Sequence, residues 1–572
     1  MIFRCIKKLI GQVKKFVTGT LPLALLFFFC FDPSAWSSQA GWTRGMVVSS
    51  SVDASRVGQD ILKMGGNAVD AAVAVGFALA VTYPEAGNLG GGGFAVVRTP
   101  GDEVFTLDHR ERAPLKASAG MFLTETGSLD SNLSLESHLA SGTPGTVDGL
   151  LVLHERFGRL SWQTVLAPAI TLAEEGFLLN STLAGRLKAL LPELVDRPAS
   201  MAKFSIAGQP MDEGHLWQQP DLAETLKLIA AKKREGFYGG KVAALLLAEM
   251  ARGGGLIEQV DLDRYRSVWR EPIQGQYRGY DIYSMAPPSS GGILLVQMLN
   301  MLSAYPVGAM GAGSPELLHL MIEVERRAYA DRAQYLGDAD FYPVPQAKLL
   351  EREYARQRMA SFDPKKASAS RLVSHGVWLE SPETTHYSVI DGEGMMVALT
   401  TTLNSSFGNK WVIPGAGFLM NNEMDDFAAS TTEANQYGLL GAQANAIEPG
   451  KRMLSSMTPT LVLKAGQPVL VTGSPGGSTI ITTVLQVILN VIDHGMTGAE
   501  AVAARRVHHQ WQPDTVSYEV GAISDAGLET LKAMGHQLIT EQVIGDANTI
   551  WVQEGRFFGG KDPREPGAAL GH

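Results

Sequence analysis

The fold is decided by residues 382–391, which read PETTHYSVID. The preceding residues, 363–374, are polar and rich in lysine and serine, whereas the residues from Tyr387 onward are typical of a strand. The tetrapeptide DGEG at 391–394 is a turn signal between two strands. This pattern predicts a β-hairpin with Thr384 at the start of its first strand. Most threonines in such a position only satisfy local hydrogen bonds, so the hairpin by itself does not assign a function.

Four further motifs follow the hairpin in one order along the chain. They read TTTLN at 400–404, MNNEMDDF at 420–427, LSSMTPT at 454–460 and GSPGGS at 473–478. With the hairpin, they resemble the processing site and small subunit of the γ-glutamyltranspeptidases, which are N-terminal-nucleophile hydrolases. The resemblance covers almost the whole chain after about residue 41. It implies an α/β (α+β) fold, a four-layer αββα sandwich in which helices cover two antiparallel sheets on both sides.

The chemistry of such a family explains why the position of Thr384 matters. A threonine hydroxyl is a poor nucleophile at neutral pH, whereas a free α-amino group has a pKa of about 7.7–8.0 and is held beside the hydroxyl that it activates. This amine exists only if the Glu383–Thr384 peptide bond is broken. The resemblance implies that the precursor cuts itself at this bond. Thr384 then attacks a γ-glutamyl amide, and water or an acceptor amine resolves the acyl-enzyme.

The resemblance also implies a pocket for the zwitterionic glutamyl group. In the motif LDHRERAP at 107–114, it assigns Arg110 to the α-carboxylate, which a planar guanidinium holds well. Sequence spacing alone does not separate Arg110 from Arg112, and either arginine is compatible with a surface ion pair. Glu423 and Asp426 take the α-amino group, although without the resemblance they are equally a solvated acidic turn or a pair of metal ligands that no histidine cluster completes. The remaining substrate contacts are Ser455, Ser456 and Asn404.

The same resemblance assigns the groups that support the reaction. Thr402 contacts the Thr384 hydroxyl, and it shares a strand face with Asn404 because strand side chains repeat every two residues. Gly476 and Gly477 form the oxyanion hole; the alternative is an ordinary turn before a helix at 479–492. Residues 430–446 resemble a lid loop, with Tyr437 in the gating position.

The first 40 residues predict a signal peptide. A basic start, with five lysines and arginines between residues 4 and 15, precedes 11 apolar residues at 21–31, which are too few for a transmembrane helix. A retained membrane anchor is the alternative. Both cysteines, Cys5 and Cys30, lie in this leader, so the rest of the chain contains neither disulfides nor thiolate sites. The formal charge is −10, or −14 without the leader, which argues against nucleic acid and anionic membrane surfaces as partners.

These observations predict one domain built from two chains: a large chain at 41–383, with a mobile tail over 363–383, and a small catalytic chain at 384–572, which stay together as a heterodimer. The expected activity transfers the γ-glutamyl group of glutathione and related compounds to water, amino acids or peptides, without a metal or cofactor. Export to the periplasm or the medium is expected, with no stable membrane span. Two alternatives are a cephalosporin or glutaryl acylase, which should lose part of the amino-group pocket, and an unprocessed γ-glutamyl-binding protein, which should lack the nucleophile or the glycine pair.

Overall fold

The computed structural model describes residues 41–373, 383–428 and 443–572, apart from the side chain of Glu383. The predicted signal peptide, the residues at 374–382 and Tyr437 of the predicted lid lie outside these ranges, so their assignments stay predictions. Among the described residues, no helix is both long and apolar enough to cross a membrane.

Two antiparallel sheets lie at the centre of the described chain. One has seven strands, in the order Ala568–Gly571, Gly45–Ser49, Glu383–Asp391, Met396–Asn404, Gly92–Arg98, Val104–Asp108 and Val268–Arg270. The other has six, in the order Arg556–Gly560, Thr549–Gln553, Gln467–Thr472, Thr460–Lys464, Tyr280–Ser284 and Ile273–Tyr277. Each sheet pairs strands from both sides of the predicted cleavage bond, as in the registers Val47 to Val389 and Tyr283 to Leu461. Separating the two predicted chains would therefore break both sheets.

Alternation of side chains along the strands builds the layers. Met46 and Val48 lie between the two sheets, in one cluster with Leu461 and Ile550 of the other sheet. Val47, between them in sequence, packs with the helices on the opposite face. The outer face of the six-stranded sheet is covered by a separate cluster of helices. The predicted four-layer αββα sandwich is confirmed, because side chains that repeat every two residues give each sheet one face for its partner sheet and one for helices.

The helices divide between the two outer layers. The seven-stranded sheet is covered by Val52–Lys63, Ala68–Thr82, Thr146–Phe157, Trp162–Glu175, Ser181–Leu190, Pro220–Lys232 and Gly240–Gly253. The six-stranded sheet is covered by Gly291–Leu302, Pro315–Tyr335, Arg352–Arg358, Thr479–Ile492, Gly498–Ala503 and Asp525–Met534. Shorter helices are Ser131–Leu135, Pro198–Phe204, Glu235–Tyr238, Gln259–Arg264, Val307–Met310 and Gln346–Leu349. A small three-stranded sheet consists of Val507–His508, Val516–Glu519 and Leu538–Glu541. A two-stranded sheet consists of Phe177–Leu178 and Leu216–Trp217.

The helix Ala68–Thr82 is buried at every one of its residues, as its apolar composition predicts. Asn67 caps it: the side chain of Asn67 accepts from the N–H of Asp70, and the Asp70 carboxylate accepts from the N–H of Asn67. This capping box satisfies backbone groups at the helix start that burial would otherwise leave without partners.

The glycine-rich segment at 87–93 allows two backbones to touch. A Cβ on Gly91 would lie 2.0 Å from the carbonyl oxygen of Thr402, and one on Gly93 would lie 2.2 Å from that of Thr400. The strand Gly92–Arg98 therefore packs against the strand Met396–Asn404 only because these positions have no side chain.

Hydrogen bonds hold the described part of the predicted mobile tail. The N–H of Ala367 donates to the Met534 carbonyl at 2.8 Å, and the N–H of Ser370 donates to Asp514 Oδ2 at 2.8 Å. Trp511 Nε1 donates to the Ser370 carbonyl at 2.9 Å. These bonds oppose mobility over 363–373, and the rest of the predicted tail lies outside the described residues.

Candidate active site

Thr384 lies near the start of the central strand Glu383–Asp391. Its Oγ1 donates to Thr402 Oγ1, on the neighbouring strand, at 3.4 Å. Thr402 Oγ1 also accepts from the N–H of Asn404 at 2.8 Å. A separation of 3.4 Å is long for a bond between hydroxyls, so this contact is weak in the continuous chain. The structure nevertheless places Thr402 where the sequence predicts it.

Thr384 is the residue shared by two cavities. The first, here called the head pocket, is lined by Arg110, Thr402, Asn404, Glu423, Asp426, Ser455, Ser456 and Gly477, among others. The second, here called the outer cleft, is lined by Gly476 and by residues of the segments 475–479, 508–517 and 539–546. The outer cleft measures about 540 Å³, whereas the head pocket measures about 10 Å³, the space of about one water molecule. Every substrate-binding residue predicted from the sequence therefore lines one pocket beside Thr384.

Arg110 pairs directly with both predicted acids. Its Nη1 lies 2.6 Å from Glu423 Oε2, and its Nη2 lies 2.5 Å from Asp426 Oδ2. The two acids are the first and last residues of a short 3₁₀ helix, in which residues three apart lie on the same side. The guanidinium is thus shared between the two carboxyl groups in this state of the chain. A ligand that carries one negative and one positive charge could replace these contacts, pairing with Arg110 and with the acids.

A third acid, Glu111, stands beside the same guanidinium. Its Oε2 lies 3.6 Å from Arg110 Nη1, and its side chain is fully buried. Burial raises the pKa of Glu111 to about 8, opposed by the charge of Arg110. Burial also raises the pKa of Glu423, opposed by Arg110 and by a hydrogen bond from Thr402. Because three buried carboxyl groups share one cation, protonation of these carboxyl groups is favoured near neutral pH.

The structure separates the two candidate arginines. Arg112 Nε donates to the Gly450 carbonyl at 2.7 Å, and the side chain lines a different small cavity with Thr143 and Asp261. Arg110, in contrast, lines the head pocket. Geometry thus resolves the choice that spacing in the sequence leaves open.

Asn404 reaches the head pocket by a route that simple alternation does not predict. The pairing register of its strand shifts between Thr401 and Asn404, and Asn404 has a left-handed backbone with φ of 75°. Asparagine tolerates this conformation better than most residues. Asn404 Nδ2 donates to the Asn422 carbonyl at 2.9 Å. Thr402 and Asn404 do line one pocket, but the expectation that strand periodicity alone brings them together is wrong, because the bulge interrupts the ladder.

The two predicted serines line the head pocket together with the acids. Ser455 Oγ accepts from the N–H of Met457 at 3.1 Å. Ser456 Oγ accepts from Arg332 Nη2 at 3.1 Å, and Arg332 Nε donates to Ser290 Oγ at 2.8 Å. A second buried arginine, Arg332, therefore holds the hydroxyl group of Ser456 in place.

Gly476 and Gly477 lie on either side of the nucleophile, since one lines the outer cleft and the other lines the head pocket. Gly476 has φ of 125°, and a Cβ there would lie 2.3 Å from Thr479 Oγ1. The helix Thr479–Ile492 begins directly after Ser478. Peptide N–H groups at such a helix start can stabilise a developing oxyanion, so the position of the pair fits its predicted role.

The histidine-rich sites do not resemble open metal sites. His508 bonds to Thr482 Oγ1 at 2.9 Å and to Gln510 Oε1 at 2.8 Å. Among the described residues, His319, Glu323 and His536 form one cluster whose possible ligand atoms lie within 4.8 Å of one another. The ring nitrogens of His319 are engaged with His536 Nε2 and the Asp363 carbonyl, and Glu323 pairs with two arginines. These groups hold the tail that begins at 363, which accounts for their proximity without a metal.

The family model described as gamma-glutamyltranspeptidase matches residues 54–572. The chain belongs to the γ-glutamyltranspeptidase family. The glutathione hydrolase proenzyme of Escherichia coli (strain K12) is 48% identical over 525 residues, which are 91% of this chain and 90% of that protein. The glutathione hydrolase proenzyme of Pseudomonas sp. (strain A14) is 44% identical over 552 residues, 94% of this chain and 96% of that protein. Among solved structures, a cephalosporin acylase from Bacillus halodurans has a TM-score of 0.82 and 27% identity, over 95% of this chain and 99% of that chain.

The γ-glutamyltranspeptidase motifs located most of the lining of the head pocket but missed two charged residues that contact it, Glu111 beside Arg110 and Arg332 beside Ser456. Glu111 directly follows Arg110 in the motif LDHRERAP, so its position in the sequence could have identified it as a neighbour of the pocket. Arg332 lies on the helix Pro315–Tyr335, which the sequence assigns to the scaffold, and no local pattern marks it as part of a γ-glutamyltranspeptidase site.

Proposed function

We propose that this chain is a self-processing γ-glutamyltransferase and glutathione hydrolase. The observation that carries the proposal is the arrangement at Thr384, which joins a pocket of one arginine, two carboxyls and two serines to a wider cleft. The pocket complements the α-carboxylate and α-ammonium of a glutamyl group. The cleft gives the group attached to the γ-carbonyl a way out and gives the second substrate a way in.

Self-cleavage would use the same hydroxyl as catalysis. Thr384 Oγ1 attacks the Glu383 carbonyl carbon, the peptide C–N bond breaks, and the proton of the hydroxyl passes to the new amine. Water then hydrolyses the resulting ester between the Glu383 carbonyl and Oγ1. The products are chains 41–383 and 384–572, which the shared sheets hold together as a heterodimer. Both sheets contain strands from both chains, which supports this assembly.

In turnover, the free amine of Thr384 takes the proton of its own hydroxyl, and Oγ1 attacks the γ-carbonyl. Gly476 and Gly477 would donate peptide N–H groups to the developing oxyanion. The leaving amine receives the proton and departs through the outer cleft. Water or an acceptor amine then attacks the acyl-enzyme, and the Oγ1 proton is restored. Arg110, Ser455 and Ser456 hold the substrate carboxylate, while Glu423 and Asp426 hold its ammonium.

We also infer that residues 1–40 form a signal peptide, and that the enzyme acts in the periplasm or the medium. The basic start, the short apolar run and the small residues before Gly41 support this inference. A mature large chain that begins at Gly41 is the expected result of sequencing the exported protein.

The cephalosporin acylase among the structural relatives makes acylase activity the second candidate. The contacts of Arg110 with Glu423 and Asp426 argue against it, because an acyl group without an α-ammonium would leave these acids unpaired. Glutaryl-p-nitroanilide differs from γ-glutamyl-p-nitroanilide only by the missing amino group, so the two compounds form a matched pair. We expect kcat/KM to be lower for the glutaryl compound by roughly 10⁴-fold, as for other sites built to bind a polar group. Equal rates would favour the acylase.

A further inference from the structure

Beside the nucleophile, the outer cleft contains a carboxylate that the proposed reaction does not use. Asp546 lines the cleft together with Thr384 and Gly476, and its side chain is only 2% exposed. Its Oδ2 accepts from Ser50 Oγ at 2.8 Å and from Asn548 Nδ2 at 3.0 Å. Its Oδ1 has no hydrogen-bond partner among the described residues. Because a buried carboxylate oxygen without a partner is costly, this atom marks a place for a hydrogen-bond donor.

The position of Asp546 is fixed relative to the nucleophile. Its own N–H donates to Ser474 Oγ at 3.0 Å, in the loop that carries the glycine pair. Ser50, which bonds Oδ2, accepts from Thr385 Oγ1 at 3.4 Å. Asn548 Nδ2 donates to the His386 carbonyl at 3.1 Å. The carboxylate is thus tied both to the glycine loop and to the two residues that follow Thr384.

The chemistry of the cleft favours an amine with a short peptide attached. Its described lining contains three carboxyls, from Glu541, Asp546 and Glu565, and neither lysine nor arginine. The rest of the wall is uncharged or polar, and it includes His508 and Gln510 besides apolar and hydroxyl side chains such as Pro475, Thr515 and Ile539. A volume of about 540 Å³ lies within the ordinary range for a small-molecule site.

We propose that Asp546 Oδ1 receives the incoming ammonium of the acceptor in the outer cleft. This inference rests on the proposed transferase function. An ammonium bound to Oδ1 gives one proton to the carboxylate and becomes a neutral amine. Its nitrogen forms the new bond to the γ-carbonyl carbon, the ester bond to Thr384 Oγ1 breaks, and a second proton of the amine returns to Oγ1. The proton on Asp546 then passes to solvent.

The charges that face Asp546 suit this exchange. Burial is the main cause that raises its pKa to about 7, and the neighbouring carboxylates of Asp562 and Glu565 raise it further, whereas Lys561 lowers it. Tyr83, which also lines the cleft, stays protonated because burial raises its pKa. A carboxyl that titrates near the working pH can both take a proton from an amine and release it.

The test compares acceptor and γ-glutamyl donor kinetics in the processed enzyme. γ-Glutamyl-p-nitroanilide is the donor, and glycylglycine is the acceptor. Asp546→Asn keeps the shape of the side chain and removes its charge, while Glu529→Gln removes a charge from an exposed position on the helix Asp525–Met534. We expect Asp546→Asn to raise the acceptor KM roughly tenfold or more relative to the donor KM, and Glu529→Gln to leave this ratio unchanged.

A measurement on the unaltered enzyme covers the case in which Asp546→Asn does not mature. Protonated N,N-dimethylglycylglycine keeps a positive charge and one N–H but cannot form a stable amide, whereas N-acetylglycylglycine has no positive charge at this end. The proposal expects the cation to compete with glycylglycine and the acetylated peptide not to compete. Equal inhibition by both, or equal acceptor KM ratios in the two variants, would overturn the role of Asp546. Failure of the unaltered enzyme to release p-nitroaniline would instead overturn the transferase function itself.

Discussion

Replacing Arg110 by lysine tests the head pocket at the residue on which it is centred. The guanidinium makes two contacts, at 2.6 Å with Glu423 and at 2.5 Å with Asp426, and its side chain is 1% exposed. Lysine keeps the charge but loses the planar fork, so it serves a carboxylate through one point of contact instead of two. One lost charge-assisted hydrogen bond in a buried site costs about 1.5–3 kcal/mol. That cost corresponds to a rise of roughly 10- to 150-fold in the KM of a γ-glutamyl donor.

Arg112 supplies the matched control, because it lies two residues away and donates to the Gly450 carbonyl outside the pocket. KM and kcat of both variants are measured on the processed enzymes, from the release of p-nitroaniline from γ-glutamyl-p-nitroanilide. We expect Arg112→Lys to change KM by less than about threefold, as is usual for substitutions outside a site. If Arg112→Lys raises KM and Arg110→Lys does not, the assignment of the carboxylate-binding arginine is refuted.

Three further predictions follow from the geometry. Because burial raises the pKa of Glu423 to about 8, this acid becomes charged as pH rises through 8 and then attracts the substrate ammonium. The KM of the donor, measured in a pH series, should therefore fall between pH 7 and 9, and Glu423→Gln should weaken this trend. Gly476→Ala should lower kcat about 10²–10³-fold, since φ of 125° and a contact of 2.3 Å with Thr479 would displace the peptide N–H; an unchanged kcat would argue against the oxyanion role. Gly91→Ala should lower the free energy of unfolding by about 1–3 kcal/mol, because its Cβ meets the Thr402 carbonyl. Gly185→Ala has open space around its Cβ and should not lower it, and chemical denaturation of both variants measures the difference.

The ion pairs of Arg110 with Glu423 and Asp426 also explain how these charged side chains can be buried before a substrate binds. Burying Arg110 alone, or Glu423 and Asp426 alone, would leave uncompensated charge in the protein interior. Their mutual contacts remove that cost in the continuous chain. The binding of a zwitterion then exchanges one set of ion pairs for another, so recognition depends on both charges of the glutamyl group.

Local sequence signals predicted the scaffold well where a helix or turn is defined by its own residues. The helix Thr479–Ile492 has the predicted bounds, since an apolar repeat acts locally. The turn at 391–394 joins the predicted strands. Family motifs, rather than periodicity, supplied the pocket residues.

What the sequence could not supply depends on distant contacts. Arg110 and Arg112 differ only in what the fold brings beside them, which no local pattern encodes. Asp546 and Ser50 are neighbours although they are far apart in the chain, because the strands Gly45–Ser49 and Thr549–Gln553 belong to the two sheets that pack face to face. The left-handed conformation of Asn404 arises from a bulge in pairing with a neighbouring strand. The raised pKa values of Glu111 and Glu423 require burial, which only the assembled layers create.

The most direct test of the central claim is N-terminal sequencing of the purified protein after a denaturing gel. The account predicts two chains, one of which begins Thr384-Thr385-His386, and a single uncut chain without γ-glutamyl turnover for Thr384→Ala. A single uncut chain that still turns over a γ-glutamyl donor, or a small chain that begins at another residue, would contradict Thr384 as the amine-activated nucleophile.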